Sequence, residues 1–233
     1  MSDGESLVSA LARLVVVLPD TPDRSGALLE LMATATDVLD LAGAAVTLMA
    51  GGRCEVAGAI PNGLSEVEVV QQDCDRGPGV EAMRDGDPVA VSDVRRYRSR
   101  WPEYTSAAVQ HGMSAMVEIP LQLGTARLGA LGLYSFTFRE WTAEDLSVGT
   151  LLAGLAAGHV LTTDRLRRQQ RLTDQLQHAL ASRIVVEQAK GVIAGARRIA
   201  PDAAYEVIRT HARRHRVSVH EVARAIVELG LRL

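Results

Sequence analysis

Apolar positions along the chain switch between a helical and a strand period. Residues 5–18 (ESLVSALARLVVVL) carry an apolar stripe that predicts a helix, which Pro19 and Pro22 break. Leu28, Leu31, Val38 and Leu41 keep helical spacing over 23–41, and Gly43 ends that element. AAVTLMA and RCEVAGAI flank Gly51-Gly52, the pattern of a hairpin. Residues 64–73 read as a helix, 76–79 as a loop, 80–85 as a helix and 88–92 as a short strand. Residues 93–112 are polar, irregular or helical, and 116–123 pairs with 127–135 in a second hairpin. Thr142 and Asp145 resemble a capping box for a long helix through His159.

Helix, hairpin, helix, strand, hairpin, helix is an α+β order. It predicts an antiparallel sheet with helices on one side and disfavours alternating βαβ folds. Beyond about residue 160 strand signals stop. Residues 160–195 can form one helix with Leu172, Leu176, Leu180, Ile184 and Val192 along one side, a thin seam resembling a coiled coil. Pro201 suits the first turn of a helix over 201–215. Ser218 and Glu221 form a capping box for a last helix over 218–229. The expected organisation is an N-terminal helix (1–21), an α+β domain (22–160), a helical connector (161–171) and an all-α three-helix domain (172–233).

Composition changes this picture in two ways. Of 25 basic residues, 24 are Arg and the single Lys is Lys190, so no lysine before it can serve a phosphate loop or a Schiff base. Residues 1–164 hold 11 Arg against 22 Asp plus Glu, net −11; residues 165–233 hold 14 basic against 6 acidic residues, net +8. A near-neutral total of −3 therefore conceals an acidic body and a basic tail, and a basic tail points to nucleic acid. Two cysteines cannot build a disulfide framework. The acidic start MSDGES is unlike a secretory leader, and the most apolar run, 146–161, is shorter than the roughly 18 residues of a membrane span. A cytoplasmic protein with no membrane association is expected.

The tail segment LQHALASRIVVEQAKGVIAG (176–195), with Asp202, Ala204-Tyr205, Ile208-Arg209, Ala212-Arg213 and Val222-Ala223, resembles an ANTAR domain. That resemblance implies a three-helix module that binds RNA and regulates transcription antitermination. The body resembles a GAF domain, on Asp75-Arg76-Gly77-Pro78-Gly79, RWPEY (100–104) and IPLQLGTARLGALGLYS (119–135). A GAF domain implies sensing of a small molecule or a partner, and dimerisation. GAF followed by ANTAR is similar to an actinobacterial arrangement. Gly79 stands where many GAF domains carry a cysteine, which argues against a covalently held chromophore there.

Candidate chemistry concentrates in the tail. Arg183, Lys190, Arg197, Arg198, Arg209, Arg213, Arg214 and Arg216 are the expected RNA-binding residues, since Arg grips phosphates bidentately and stacks on unpaired bases. Tyr205 is expected to pack in the bundle with Ile208 and Ala212. His211 and His215 stand at i, i+4 without an HExxH pattern, and a surface role outweighs zinc. Gly154 and Gly158 offer a small-residue face, either for a dimer or for packing on the sheet. No catalytic constellation stands out, the acidic residues of 64–87 read as solvated faces, and no cofactor is expected. The expected function is a homodimeric, signal-responsive RNA-binding antitermination regulator that takes hairpin RNA in nascent transcripts, and not an enzyme. Alternatives are a GAF-fold thiol reductase using Cys54 and Cys74, a DNA-binding transcriptional regulator, or a dimerisation scaffold.

Overall fold

The computed structural model describes residues 2–20 and 23–233, with side chains over 7–18, 23–177 and 180–233. The first helix runs through Pro19 to Asp20, past the break expected at Pro19, and the break expected at Pro22 lies outside the described residues. The chain divides into two compact units, Met1–Asp164 and Arg165–Leu233.

In the first unit α1 (Ser2–Asp20) and α2 (Arg24–Leu39) precede a five-stranded antiparallel sheet. Asp23 caps α2 by accepting a 3.2 Å hydrogen bond from the Gly26 amide, which satisfies one otherwise orphaned N–H. The strands are β1 (Gly43–Ala50), β2 (Arg53–Ile60), β3 (Val89–Val91), β4 (Ala115–Leu123) and β5 (Ala126–Ser135), in the order β2-β1-β5-β4-β3. Gly51 and Gly52 both take positive φ, 59° and 84°, the two left-handed positions that a tight hairpin turn needs, and so set Ala50 opposite Arg53. Between β2 and β3 lie α3 (Leu64–Asp73) and α4 (Pro78–Asp85); between β3 and β4 lie a 3₁₀ turn (Val94–Tyr97) and α5 (Pro102–Gln110).

Helices cover both faces of the sheet, not one as the sequence order predicts. On one face, Leu28, Leu31 and Met32 of α2 pack with Leu152, Ala153 and Ala156 of the long helix that comes after β5 against Val46, Ile119 and Leu133. On the other, Leu64 and Val67 of α3 with Tyr104 and Ala108 of α5 cover Ala45, Met116 and Tyr134. The physical reason is visible in β1 and β4, where six or seven consecutive residues are buried instead of every second one. A continuous apolar strand is a strand sandwiched between layers.

Helix α6 (Ala143–Arg197) is a single helix of 55 residues whose first part belongs to the first unit. Thr142 and Asp145 cap it reciprocally, at 3.0 and 3.1 Å. By length and composition α6 is apolar enough to cross a membrane. Its apolar N-terminal part, however, buries Leu152, Ala153, Ala156, Ala157 and Val160 in the core of the unit. In the second unit the rest of α6 joins α7 (Pro201–His215) and α8 (Val219–Leu229). Ala189 and Ile193, Ala204, Ile208 and Ala212, and Val222, Ala223 and Ile226 form one core from the three helices. Ser218 and Glu221 make the capping box that starts α8.

Candidate functional site

The sheet face under α3 and α5 holds a buried polar cluster. Tyr134 on β5 lays its ring over Gly132, where an added Cβ would fall 1.9 Å from the phenol oxygen. Its hydroxyl thereby reaches Glu68 of α3 at 2.5 Å and Glu118 of β4 at 3.1 Å. Glu68 also accepts from Gln71 (2.7 Å) and Thr47 (3.1 Å). Gln71 in turn accepts from the Gly79 amide at 2.9 Å and so fixes the loop into α4. Both carboxyl groups are fully enclosed, and the Glu118 Oε2 and Thr105 Oγ1 atoms have no hydrogen-bond partner among the described residues.

Burial, and then the Glu68 charge, push the Glu118 carboxyl well above the ordinary carboxylate range. Glu68 is raised too, by burial, but hydrogen bonds with Tyr134, Gln71, Thr47 and Glu118 oppose the shift. Glu118 is therefore the member held protonated. Tyr104 and Tyr134, buried beside the pair, are raised in turn. This corrects the expectation that the acidic residues of 64–87 are all solvated: Glu68 is 1% exposed. One signal was available, because Glu118 interrupts the apolar run MVEIPLQL and an ionised carboxylate is not kept in such a run without a reason.

The motifs behind the GAF resemblance act as braces. Trp101 is buried, stacks on Tyr97 at 5.1 Å and donates its indole N–H to Glu81 of α4 at 2.8 Å. Arg100 holds the same carboxylate at 2.6 Å, and Arg76 donates to the Arg100 carbonyl. At the hairpin end of the unit lies a cavity of about 730 Å³, whose lining includes Cys54, Asp75, Arg84 and Arg127. Cys54 and Cys74 are both free thiols, the first half-buried and the second exposed.

In the second unit the predicted cations fall into two groups. The side chains of Arg183, Arg198, Arg213, Arg214 and Arg216 make no ion pair or hydrogen bond among the described residues. Arg213, Arg214 and Arg216 cluster at the end of α7, where Arg216 is the left-handed C-cap. Arg198 follows the last residue of α6 with φ 55°. The others are engaged. Lys190 is mostly buried and grips Glu187 at 3.0 Å, Arg209 pairs with Glu206 at 3.1 Å, and Arg197 donates to the Leu233 carbonyl at 2.9 Å.

Tyr205 does not enter the bundle core. Ala204, Ile208 and Ala212 take that face, while Tyr205, half-buried, lines a cavity of about 610 Å³ with Arg183, Lys190 and Asp202. The Lys190 ammonium sits 5.9 Å from its ring centroid. A tyrosine one position past a buried alanine points away from the alanine's face, at 100° per residue. The His211 and His215 rings touch, 4.3 Å apart. Leu166, Leu172, Leu176, Leu180 and Ile184 leave an exposed apolar row on α6. Gly154 and Gly158 do not pack on the sheet, because an added Cβ at either meets nothing within 4 Å.

An acidic α+β unit with an enclosed polar core, followed by a basic three-helix unit with uncommitted arginines, defines a two-part regulator. The GAF domain family model matches residues 21–160 and the ANTAR domain model residues 174–227. The chain belongs to the GAF domain family and carries an ANTAR domain after it, the RNA-binding antitermination regulator type. Solved structures agree on the fold of the first unit. The GAF domain of a phosphoenolpyruvate-protein phosphotransferase from Coxiella burnetii is 13% identical, with TM-score 0.56 over 72% of this chain and 99% of that one. Its counterpart from Acinetobacter is 12% identical, with TM-score 0.57 over 71% and 97%. The free methionine-R-sulfoxide reductase from Neisseria meningitidis is 16% identical, with TM-score 0.53 over 69% and 91%. No curated protein matches the chain.

Proposed function

We propose that this chain is a cytoplasmic, signal-responsive antitermination regulator, in which the GAF unit takes a small molecule or a partner and the ANTAR unit binds hairpin RNA in nascent transcripts. The carrying observation is the set of five unpaired arginines on a +8 three-helix unit that matches the ANTAR model. Guanidinium groups that are not spent on internal carboxylates are available to phosphates and unpaired bases. The chain acts as a homodimer through the exposed apolar row of α6, because such a row buries itself against its own copy in a coiled coil. In this reading the protein needs no catalytic group.

The test is binding of tandem-hairpin RNA by the full chain across a salt series, beside duplex DNA and unstructured RNA. Tight hairpin binding that weakens steeply with salt supports the proposal. A preference for duplex DNA at equal salt overturns it. Sedimentation of the full chain tests the dimer, and a monomer at all working concentrations removes that part.

A further inference from the structure

The cavity at the hairpin end of the GAF unit contains three convergent sulfur atoms. The Cys54 Sγ on β2 lies 3.2 Å from the Met49 Sδ on β1 and 3.9 Å from the Met83 Sδ on α4. All three residues line the same cavity. The strand register brings the first two together, since Met49 and Cys54 are cross-strand partners beside the Gly51-Gly52 turn. The third is held by α4, whose end is fixed by the Arg127 guanidinium donating to the Met83 carbonyl at 3.0 Å and to the Arg84 carbonyl. Met83 is 9% exposed and Met49 43%, so one side of the sulfur cluster is enclosed and the other is open to solvent.

We infer that Cys54, Met49 and Met83 form a binding site for monovalent copper. One thiolate with two thioethers is a soft donor set, which selects Cu(I) over the harder divalent ions. The distances fit. Three sulfurs around a metal at about 2.3 Å, the length of a zinc–sulfur bond, stand about 4 Å apart when trigonal. Cys54 to Met83 is already at that separation, and Cys54 to Met49 must open by less than about 1 Å, within the reach of a flexible thioether side chain.

The cavity lining carries both signs, Glu55, Asp73 and Asp75 against Arg53, Arg84 and Arg127, so the soft donor set and not the field carries the selectivity. On binding, the thiol proton leaves to solvent as the Cu–S bond forms and the two thioethers complete the shell; no atom changes oxidation state. The site does not depend on RNA binding and stands apart from the regulator reading.

The experiment uses the reduced full chain under anaerobic conditions, with Cu(I) presented as its coloured bicinchoninate complex. The wild type is expected to withdraw one Cu(I) per chain, and X-ray absorption to show a sulfur-only shell. Cys54→Ser is expected to lose the site. Met83→Leu and Met49→Leu, which conserve volume and so keep the fold, are expected to weaken binding by at least about tenfold. Cys74→Ser is expected to bind as the wild type does. Failure of the wild type to withdraw Cu(I), undiminished binding by Cys54→Ser, or loss in Cys74→Ser overturns the assignment.

Discussion

Glu118→Gln tests whether a buried carboxyl is held neutral in the sensor core. Glu118 is fully buried, faces Glu68 through Tyr134, and has one oxygen without a partner among the described residues. Burial first and the Glu68 charge second raise its pKa, so the folded chain keeps a proton that the unfolded chain releases. Stability therefore falls as pH rises above the unfolded glutamate value of about 4.3, and it goes on falling until the folded-state pKa is passed. The slope in that window is at most about 1.4 kcal/mol per pH unit for this group. For a unit of 164 residues that corresponds to about 3–5 °C in Tm per pH unit.

Glutamine copies the shape of the neutral acid and cannot ionise. Thermal melts followed by circular dichroism at pH 5, 6, 7 and 8 are expected to show the variant overtaking the wild type, with a gap that widens as pH rises. A gap that stays constant, or narrows with rising pH, refutes a protonated Glu118. The neighbour behaves oppositely. Glu68→Gln turns an amide toward the donors Tyr134, Gln71 and Thr47 and is expected to destabilise by at least one charged hydrogen bond, about 1.5–3 kcal/mol.

The double change Arg213→Gln with Arg214→Gln is expected to weaken hairpin RNA binding and to lower the salt slope by roughly 1.4–1.8, two phosphate contacts' worth, on a filter-binding series. Lys190→Met, by contrast, is expected to leave that slope nearly unchanged, because Lys190 is already committed to Glu187. Ser218→Ala removes the hydroxyl that caps α8 and is expected to cost about 1 kcal/mol in chemical denaturation of the full chain. Leu176→Ser with Leu180→Ser leaves both cores intact and is expected to shift sedimentation toward monomer, since both leucines are more than 60% exposed in the single chain.

Element boundaries were legible wherever a local signal sets them. Gly51-Gly52 fixed the first hairpin, Thr142 with Asp145 fixed the start of α6, and Ser218 with Glu221 that of α8; each bond spans three residues or fewer. What depends on distant partners was not legible. Helix order alone does not say which face of a sheet a helix covers, and the one-sided sheet was the consequence. The uninterrupted apolar runs of β1 and β4 did carry the answer. Glu68 reads as a surface residue until Tyr134, 66 positions later, is seen to reach it. Met83 and Cys54 are 29 positions apart and sit on different elements, so no spacing rule joins them. Tyr205 was misplaced for a simpler reason: the buried alanine beside it took the core face.

The charge boundary read from composition and the packing boundary of the fold fall between the same two residues, 164 and 165. That coincidence restricts where RNA contacts can come from. The first unit carries −11 in total, so most of the counterion release is expected from the second. Within it, five predicted arginines are unpaired, enough for a slope of roughly 3.5–4.5 in log affinity against log salt. Arg165, Arg167, Arg168 and Arg171, exposed on α6 ahead of the ANTAR match, were not among the predicted contacts. A measured slope well above that range requires them. It would then place the RNA against the same stretch of α6 that carries the apolar row, so that dimerisation and RNA binding would use one helix and each would depend on the other.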